Sequence, residues 1–414
     1  MRDFRSSDIE TFAMLFIVKK EDLSGESTTN ASLLKESMRV SMINCGYTTK
    51  LLQFTTFNQR NIRPMHHYIS LFERVLKKRF PLAISRGVRY DSTNVFIQIT
   101  EGSVSGIGEA APGASEGAGT PELVKDEIQR FLETNPEELS IYQAFDRAKE
   151  MKIAPCAYVA YDIARWDLLA KKAQMPLYRM LGLSLPTAAT SMTIGINLPE
   201  VVKERIPILM NDMPSLKGLK IKLGSPEGIE ADKAMFEQVV QSASTYDLKL
   251  RVDANGGWSL SDAKHMLDWL SKRGVEYIEQ PLVEGAEDQL PELFKNRPMP
   301  IFVDESCRSA NQIHQYAHCV DGVNMKLMKC GGISGALEII QVARSYGLKT
   351  MIGCMSESSI SIAAAASLTG IIDHVDLDSH YNLAPDVAVG APLVDGITMP
   401  TDEFGHGARL KPEE

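Results

Sequence analysis

The chain has 414 residues, of which 44% are hydrophobic and 23% are charged, so it has the composition of a globular protein with a large core. The formal net charge is −9 and the chain contains no basic block, which argues against nucleic acid or an anionic membrane as a partner. The six cysteines are scattered with no C-x-x-C pair, so reduced thiols are favoured over a zinc or disulfide framework.

Residues 1–66 precede the first clear pattern, and no fold is predicted for them. Their longest early apolar run, residues 12–18, is far too short to span a bilayer. Acidic residues precede this run, so it lacks the basic start of a secretory signal. We therefore expect a cytoplasmic protein, and targeting to an organelle by this N-terminal extension stays open.

Residues 67–187 predict a small α+β domain. Apolar alternation indicates strands within residues 67–77 and 93–112. Residues 77–92, which contain a proline and a glycine, are predicted to form a loop. Two helices are predicted to follow, in residues 120–133 and 154–174.

From residue 188 to residue 380 short apolar strands alternate with helices. Eight strands are predicted, in residues 190–197, 218–224, 248–254, 275–281, 300–306, 322–328, 349–355 and 374–379. This repeat fits a (β/α)8 barrel better than an open doubly wound sheet, which would need a glycine-rich first turn. Residues 381–414 have no place in such a barrel and are predicted to return to the first domain.

Three acidic residues end consecutive strands of the predicted barrel. Asp253, Glu279 and Asp304 lie 26 and 25 residues apart, and the C-terminal strand ends of a barrel form its active-site mouth. Three carboxylates at one mouth repel one another unless a cation joins them. An all-oxygen ligand set favours Mg2+, with Mn2+ as an open alternative. Helix capping or surface ion pairing would explain any one of these acids better than all three together.

Two lysines end strands on opposite sides of the same ring. Lys222 belongs to the second strand and Lys326 to the sixth. Near a divalent cation and another ammonium, a lysine is expected to have a lowered pKa and so to provide a neutral amine as base. Such a pair can remove a proton from one face of a carbon and return it to the other, which is racemisation or epimerisation. Lys220 is predicted to orient a ligand carboxylate or the substrate, and salt bridging or snorkelling is the alternative role for these lysines.

A family resemblance adds to this interpretation. The stretches "LKIKLG", "VDANGGW", "IEQPL", "VDES" and "NMKLMKCGG" resemble, in order and spacing, the muconate-lactonizing branch of the enolase superfamily. The resemblance covers roughly residues 67–410, and a lysine base with magnesium is the pattern of that superfamily. It implies a modified barrel, (β/α)7β, with an α+β cap at residues 67–187, the barrel at residues 188–380, and a C-terminal segment at residues 381–414 that completes the cap.

The end of the eighth strand points to a substrate within this branch. The sequence "DLD", with Asp376 and Asp378, is similar to the Asp-x-Asp pair of dipeptide epimerases, which captures the free α-ammonium of the substrate. Side chains two residues apart on a strand share a face, so both carboxylates can bind one cation. The resemblance thus implies a Mg-dependent dipeptide epimerase that inverts the C-terminal residue through a metal-stabilised enolate. A structural role for these acids is the alternative.

Two further residues are candidates for contact with the substrate side chain. Arg86 lies in the loop near the first cap hairpin and could meet an acidic group, as could Arg89. Glu357 follows the seventh strand and could instead accept a cationic group. These cues oppose each other, so the preferred side chain stays open.

Other activities remain to be weighed against the epimerase. An N-acylamino-acid racemase or an o-succinylbenzoate synthase would use both lysines, and a muconate cycloisomerase belongs to the same branch. None of these has an ammonium for Asp376 and Asp378 to bind. A class I aldolase would need no carboxylate triad. A catalytically silent barrel acting as a binding module would leave costly buried charges without a use. Assembly into a homo-oligomer is open.

Overall fold

The cap begins with a three-stranded antiparallel sheet. The computed structural model describes residues 67–412, so the interpretations of residues 1–66 lie outside it. The strands are β1 (His67–Ile84), β2 (Gly87–Glu101) and β3 (Val104–Ala110), in that order across the sheet. The prediction of a loop at residues 77–92 is wrong, because β1 and β2 continue through it as a long hairpin. The register of that hairpin shifts between Lys77 and Leu82, around the proline.

Four helices complete the cap, and the first and third of them pack against this sheet. They are α1 (Pro121–Leu132), α2 (Ile141–Glu150), α3 (Pro155–Lys172) and α4 (Leu177–Met180). The Thr120 side chain caps α1 by accepting a hydrogen bond from the amide of Leu123. Helix α3 lies directly on β3: a Cβ atom added to Gly108 would stand 2.0 Å from the carbonyl oxygen of Ala160. Glycine in β3 therefore permits the contact between the backbones of sheet and helix.

Eight parallel strands form the second part, and all eight predicted strands are present. They are β4 (Met192–Ile194), β5 (Gly218–Lys222), β6 (Lys249–Asp253), β7 (Val275–Glu279), β8 (Ile301–Val303), β9 (Gly322–Lys326), β10 (Lys349–Gly353) and β11 (His374–Val375). They hydrogen bond in chain order from β4 to β11, which curls the sheet into a barrel.

Each of the seven connections between consecutive strands contains a helix, and the connection between β9 and β10 contains two. They are α5 (Pro199–Asp212), α6 (Ile229–Ala243), α7 (Leu260–Ser271), α8 (Leu290–Phe294), α9 (Ile313–Tyr316), α10 (Leu327–Cys330), α11 (Ile333–Ser345) and α12 (Ser359–Ala366). After β11 the chain makes only the short 3-10 turn Ser379–Asn382. The modified barrel (β/α)7β with an N-terminal cap is thus confirmed.

Side chains, rather than a backbone ladder, close the seam between β11 and β4. Among the described residues, the hydrogen-bonded order of the sheet ends at these two strands. Three bonds cross the seam: Ser191 Oγ to Asp376 Oδ1 at 2.7 Å, the Thr193 amide to Asp378 Oδ2 at 2.6 Å, and the Leu377 amide to Thr190 Oγ1 at 2.9 Å. The acidic pair at the eighth strand therefore also holds the barrel together.

The C-terminal segment returns to the cap. Its short strands are β12 (Ala388–Val389), β13 (Leu393–Val394), β14 (Ile397–Thr398) and β15 (Arg409–Leu410). The amide of buried His406 donates to Asp167 of α3 at 3.0 Å, and its Nε2 lies 3.0 Å from the carbonyl oxygen of Ile107 in β3. None of the helices in residues 67–412 is long and apolar enough to cross a membrane.

Candidate active site

A cavity of about 280 Å³ lies between the cap hairpin and the carboxyl ends of the barrel strands. Cavities at this end of a barrel are where its active sites are found. The residues predicted from the sequence that line the cavity are Arg86, Arg89, Lys220, Lys222, Asp304, Lys326, Asp376 and Asp378. The structure thus brings side chains from β5, β9 and the ends of β8 and β11 to one place, although they are far apart in the chain.

Three carboxylates converge at the bottom of this site. Asp253, Glu279 and Asp304 are fully buried, and one oxygen of each lies within 4.8 Å of the others. Burial raises the pKa of Glu279 to about 8, and the neighbouring Asp253 adds to this effect. Burial also opposes ionisation of Asp253, but Lys222 and Lys220 outweigh it and lower the pKa of that carboxyl. Acids this close together in a buried site favour a shared cation.

The donor set fits a hard divalent ion. Glu279 Oε1 accepts a hydrogen bond from Asn324 at 2.8 Å, and Glu279 Oε2 lies 2.7 Å from the ammonium of Lys220. Carboxylate oxygens alone match the ligand preference of Mg2+. The triad could therefore hold the ion that the sequence predicted.

Lys220 connects the triad to the acidic pair of the eighth strand. It is 1% exposed, and its Nζ lies 2.7 Å from Glu279, 2.7 Å from Asp376 and 3.2 Å from Asp253. Burial would lower its pKa, but the three carboxylates raise it well above the usual value. The three carboxylates thus favour the charged form of Lys220, and its role in orienting a ligand carboxylate or the substrate stays a prediction.

The other two lysines contact opposite ends of the triad. Lys222 Nζ lies 2.5 Å from Asp253, and Lys326 Nζ lies 2.7 Å from Asp304. Strands β6, β7 and β8 separate the strands that carry them. Burial lowers the pKa of Lys326, but Asp304 more than offsets it, and the net shift is upward. The lowered lysine pKa was expected beside a bound divalent cation, and it stays a prediction.

The two acids of the eighth strand have different surroundings. Both oxygens of Asp376 are used, Oδ1 by Ser191 and Oδ2 by Lys220. Asp378 Oδ2 is used by the amide of Thr193, whereas within residues 67–412 Oδ1 has only a weak contact, with the thiol of Cys354 at 3.6 Å. Lys220 lowers the pKa of Asp376 against the effect of burial, while burial and Asp376 raise the pKa of Asp378. Asp378 is the acid with an oxygen left for a ligand.

The tip of the cap hairpin is bound to loops at the barrel mouth. Arg86 lines the cavity, and its guanidinium donates to the carbonyl oxygen of Asn255 at 2.9 Å and to Glu305 at 2.7 Å. Ser85 donates to the same carbonyl oxygen at 2.9 Å. Because Arg86 already contacts a carboxylate of this chain, it does not offer a free cation to an acidic substrate group.

The prediction that Glu357 contacts the substrate is not supported by its position. It is 1% exposed and is not among the residues that line the cavity. One carboxylate oxygen accepts from the amide of Met355 at 2.5 Å, and the other accepts from Ser361 at 2.7 Å. Glu357 is therefore engaged in holding the loop after β10 and the start of α12.

Sequence reasoning missed Lys329, a fully buried residue of the site. Its Nζ lies 2.5 Å from the carboxylate of Asp304 and also donates to the carbonyl oxygens of Cys307 and Asn324 at 3.1 and 2.9 Å. It fixes the third carboxylate from the side opposite Lys326. A signal existed, since a lysine flanked by "LM" and "CGG" is out of place in an apolar turn.

Family models and curated relatives match this chain over most of its length. The model of the mandelate racemase / muconate lactonizing enzyme N-terminal domain matches residues 68–182, and an enolase C-terminal domain-like model matches residues 210–414. A protein of a Flavobacteria bacterium named hydrophobic dipeptide epimerase is 63% identical over 338 residues, or 82% of this chain and 97% of that protein. A Roseobacter litoralis protein of the same name is 56% identical over 335 residues, or 81% and 96%.

Solved structures with bound dipeptides have the same fold. One is the dipeptide epimerase of Enterococcus faecalis complexed with Mg and L-Leu-L-Tyr, with a TM-score of 0.75 and 31% identity over 82% of this chain and 98% of that chain. Another is the dipeptide epimerase of Methylococcus capsulatus complexed with Mg and L-Arg-D-Lys, with a TM-score of 0.71 and 28% identity over 82% and 98%. The metal and the dipeptides are features of those complexes.

Proposed function

The chain belongs to the mandelate racemase / muconate lactonizing enzyme family of the enolase superfamily, and from this premise we propose that it is a dipeptide epimerase. The reaction is inversion of the α-carbon of the second residue of a dipeptide. The observation that carries the proposal is Asp378 Oδ1, a nearly free carboxylate oxygen in a cavity that also contains Lys222 and Lys326. The names of the relatives with 63% and 56% identity support the same activity.

The proposed metal ligands are Asp253, Glu279 and Asp304. Their convergence within 4.8 Å supports this role, and the Mg in the related complexes favours Mg2+ over the Mn2+ that the ligand chemistry also permits. When bound, such an ion supplies positive charge that neutralises the acids and stabilises negative charge developing on a substrate carboxylate. Lys329 and Asn324 hold two of the carboxylates in place.

Lys222 and Lys326 are proposed to carry the proton transfers. In one direction the Nζ of one lysine takes the α-proton, and the Nζ of the other donates a proton to the opposite face of the same carbon. In the reverse direction the two exchange roles. Their contacts with different ends of the triad support an arrangement in which the reacting carbon lies between them. Lys220 takes no proton in this scheme, because three carboxylates hold its charge.

Asp378 is proposed to bind the substrate's α-ammonium through Oδ1. A charge-assisted hydrogen bond there would fix the amino end and leave the second α-carbon near the lysines. Asp376 is proposed to act indirectly, since Ser191 and Lys220 use both of its oxygens. An N-acylated substrate has no ammonium for this site, which favours the dipeptide over the racemase alternative.

An apolar second residue is the proposed preference. The cavity wall on the cap side includes Leu82, Ile84 and Val88, and Met328 faces it from the barrel. Arg86 is occupied by Glu305, so no uncommitted contact at that position favours an acidic side chain. The word hydrophobic in the names of the two relatives agrees with this lining. A cytoplasmic location is proposed as well, in line with cysteines of the described region that remain free thiols.

The test is α-proton exchange and epimerisation in D2O with a dipeptide library. With Mg2+ present, we expect activity on free-amino dipeptides with an apolar second residue, and a chelator should remove it. The same dipeptides with an N-acetyl group are the matched control and should be poor substrates. Preference for N-acylated amino acids over every free-amino dipeptide would contradict the proposal and favour a racemase.

A further inference from the structure

Lys78 lies in the part of the cap hairpin that is fixed to the barrel. The carbonyl oxygen of Lys77 accepts a hydrogen bond from the amide of Ala384 at 2.9 Å. Two residues after Lys78, the amide and the carbonyl oxygen of Phe80 pair with the side chain of Asn382 at 3.0 and 2.9 Å. The backbone around Lys78 is thus held on both sides by the segment that follows β11, which limits where its side chain can reach.

The side chain of Lys78 enters the active-site cavity. Lys78 is one of the residues that line it, and its Nζ donates to Ser356 Oγ at 2.8 Å, in the loop after β10. No carboxylate among residues 67–412 forms an ion pair with this ammonium within 4 Å. Burial lowers the pKa of Lys78, and the nearby Asp378 acts against this lowering. A mostly buried positive charge therefore faces the same corner of the cavity as the carboxylate of the eighth strand.

This corner is where the first residue of a bound dipeptide must lie. If the α-ammonium binds Asp378 and the second α-carbon lies near Lys222 and Lys326, the first side chain leaves the backbone next to Asp378. The neighbours there are Cys354, which contacts Asp378, and Ser356, which contacts Lys78. The first side chain therefore passes close to the Lys78 ammonium.

We propose that Lys78 selects against dipeptides whose first residue carries a positively charged side chain. The inference rests on the proposed epimerase function and assigns a specificity role to a residue of the cap. Two ammonium groups close together in a partly desolvated cavity repel each other, and the α-ammonium of the substrate already uses the free oxygen of Asp378. A neutral first residue meets only the hydrocarbon stem and the hydrogen-bonded tip of Lys78.

A purely mechanical role would look different. If Lys78 acts only as a link between the hairpin and Ser356, its loss weakens closure and lowers kcat/KM for all dipeptides by the same factor. A charge effect instead changes the ratio between cationic and neutral substrates. That ratio is also expected to move toward 1 as ionic strength rises, whereas a steric or mechanical effect would not respond in this way.

The experiment compares kcat/KM for two dipeptides that differ only at the first residue, lysine against the nearly isosteric norleucine, with leucine as the second residue. The wild-type enzyme should prefer norleucine by at least about tenfold, the scale of one desolvated charge contact. Lys78→Met should abolish that preference, while Lys78→Arg, which keeps the charge, should retain it. The control is Lys77→Met, because Lys77 is exposed on the same strand and should leave the ratio unchanged.

The outcomes separate this inference from the function on which it rests. An unchanged norleucine-to-lysine ratio in Lys78→Met, or an equal loss for both dipeptides, would overturn the role of Lys78 and leave the epimerase assignment standing. A wild-type enzyme that epimerises neither these nor any other free-amino dipeptide would overturn both. If Lys77→Met also removes the preference, the effect belongs to the general charge of the hairpin and the specific role is wrong.

Discussion

The unequal surroundings of Asp376 and Asp378 lead to opposite expectations for the same substitution. Asp378→Asn removes the nearly free Oδ1, which would bind the substrate ammonium, and can keep the bond to the Thr193 amide through its remaining oxygen. A hydrogen bond to a charged group contributes about 1.5–3 kcal/mol, so kcat/KM for a free-amino dipeptide should fall by about 10- to 150-fold. The free energy of unfolding should change little.

Asp376→Asn should instead destabilise the fold. It removes one of three carboxylates around the buried ammonium of Lys220 and weakens a bond across the barrel seam. Breaking a buried ion pair costs about 3–5 kcal/mol, and the low end applies because Asp253 and Glu279 remain. Urea unfolding and steady-state kinetics of both variants provide the assay. If Asp376→Asn folds with wild-type stability while Asp378→Asn binds dipeptides normally, the assignment of the two roles is refuted.

Other expectations follow from the buried charges. Burial lowers the pKa of His380 from 6.5 to about 4, so stability is fully present above pH 6.5 and declines by about 3 kcal/mol as the pH falls from 6.5 to 4; urea unfolding of His380→Gln should not show this loss. Lys329→Met leaves Asp304 without one of its partners and should lower the free energy of unfolding by about 3–5 kcal/mol, whereas Lys264→Met, which breaks an exposed ion pair, should cost at most about 1 kcal/mol. Arg86→Gln should lower kcat/KM for all dipeptides, because Arg86 fixes the hairpin to the barrel mouth. The ratio of kcat/KM between dipeptides with an apolar and with an acidic second residue should stay the same, and competition kinetics with paired substrates would measure it.

The barrel and the triad could be predicted because they depend on local signals that repeat. Each barrel strand is a short apolar run, and Asp253 and Glu279 are the last residues of β6 and β7 in the structure as in the sequence pattern. Parallel strands bring their carboxyl ends to one edge, so the positions along the chain were enough to bring these acids together. The family resemblance then predicted that the barrel lacks its last helix.

The cap hairpin could not be predicted because its proline and glycine are compatible with either a loop or a hairpin. Pro81 suggested a loop, but it lies where the ladder between β1 and β2 shifts register and needs no amide donor. Gly87 also suggested a loop, yet its φ of 138° belongs to the tight turn of the hairpin. Long-range bonds to the barrel mouth stabilise this conformation, and such bonds leave no trace in the local sequence.

The hydrogen-bond partners of charged side chains could not be predicted from the sequence either. Glu357 and Arg86 are charged residues at the expected loops, and their sequence neighbours do not reveal that Ser361 and Glu305 already use them. Lys329 is the reverse case, since one carboxylate and three carbonyl oxygens accept hydrogen bonds from its ammonium and make its burial tolerable. Residue type and strand position indicate which groups reach the site, while tertiary hydrogen bonding decides which remain available to a ligand.

The central claim is that Lys222 and Lys326 approach the reacting carbon from opposite faces. The direct measurement is α-proton exchange in D2O with each diastereomer of one dipeptide, using Lys222→Ala and Lys326→Ala. Each variant should lose epimerisation yet still exchange the α-proton of one diastereomer, and the two variants should act on opposite diastereomers. Exchange of the same diastereomer by both variants, or full epimerase activity in either one, would contradict the two-lysine account.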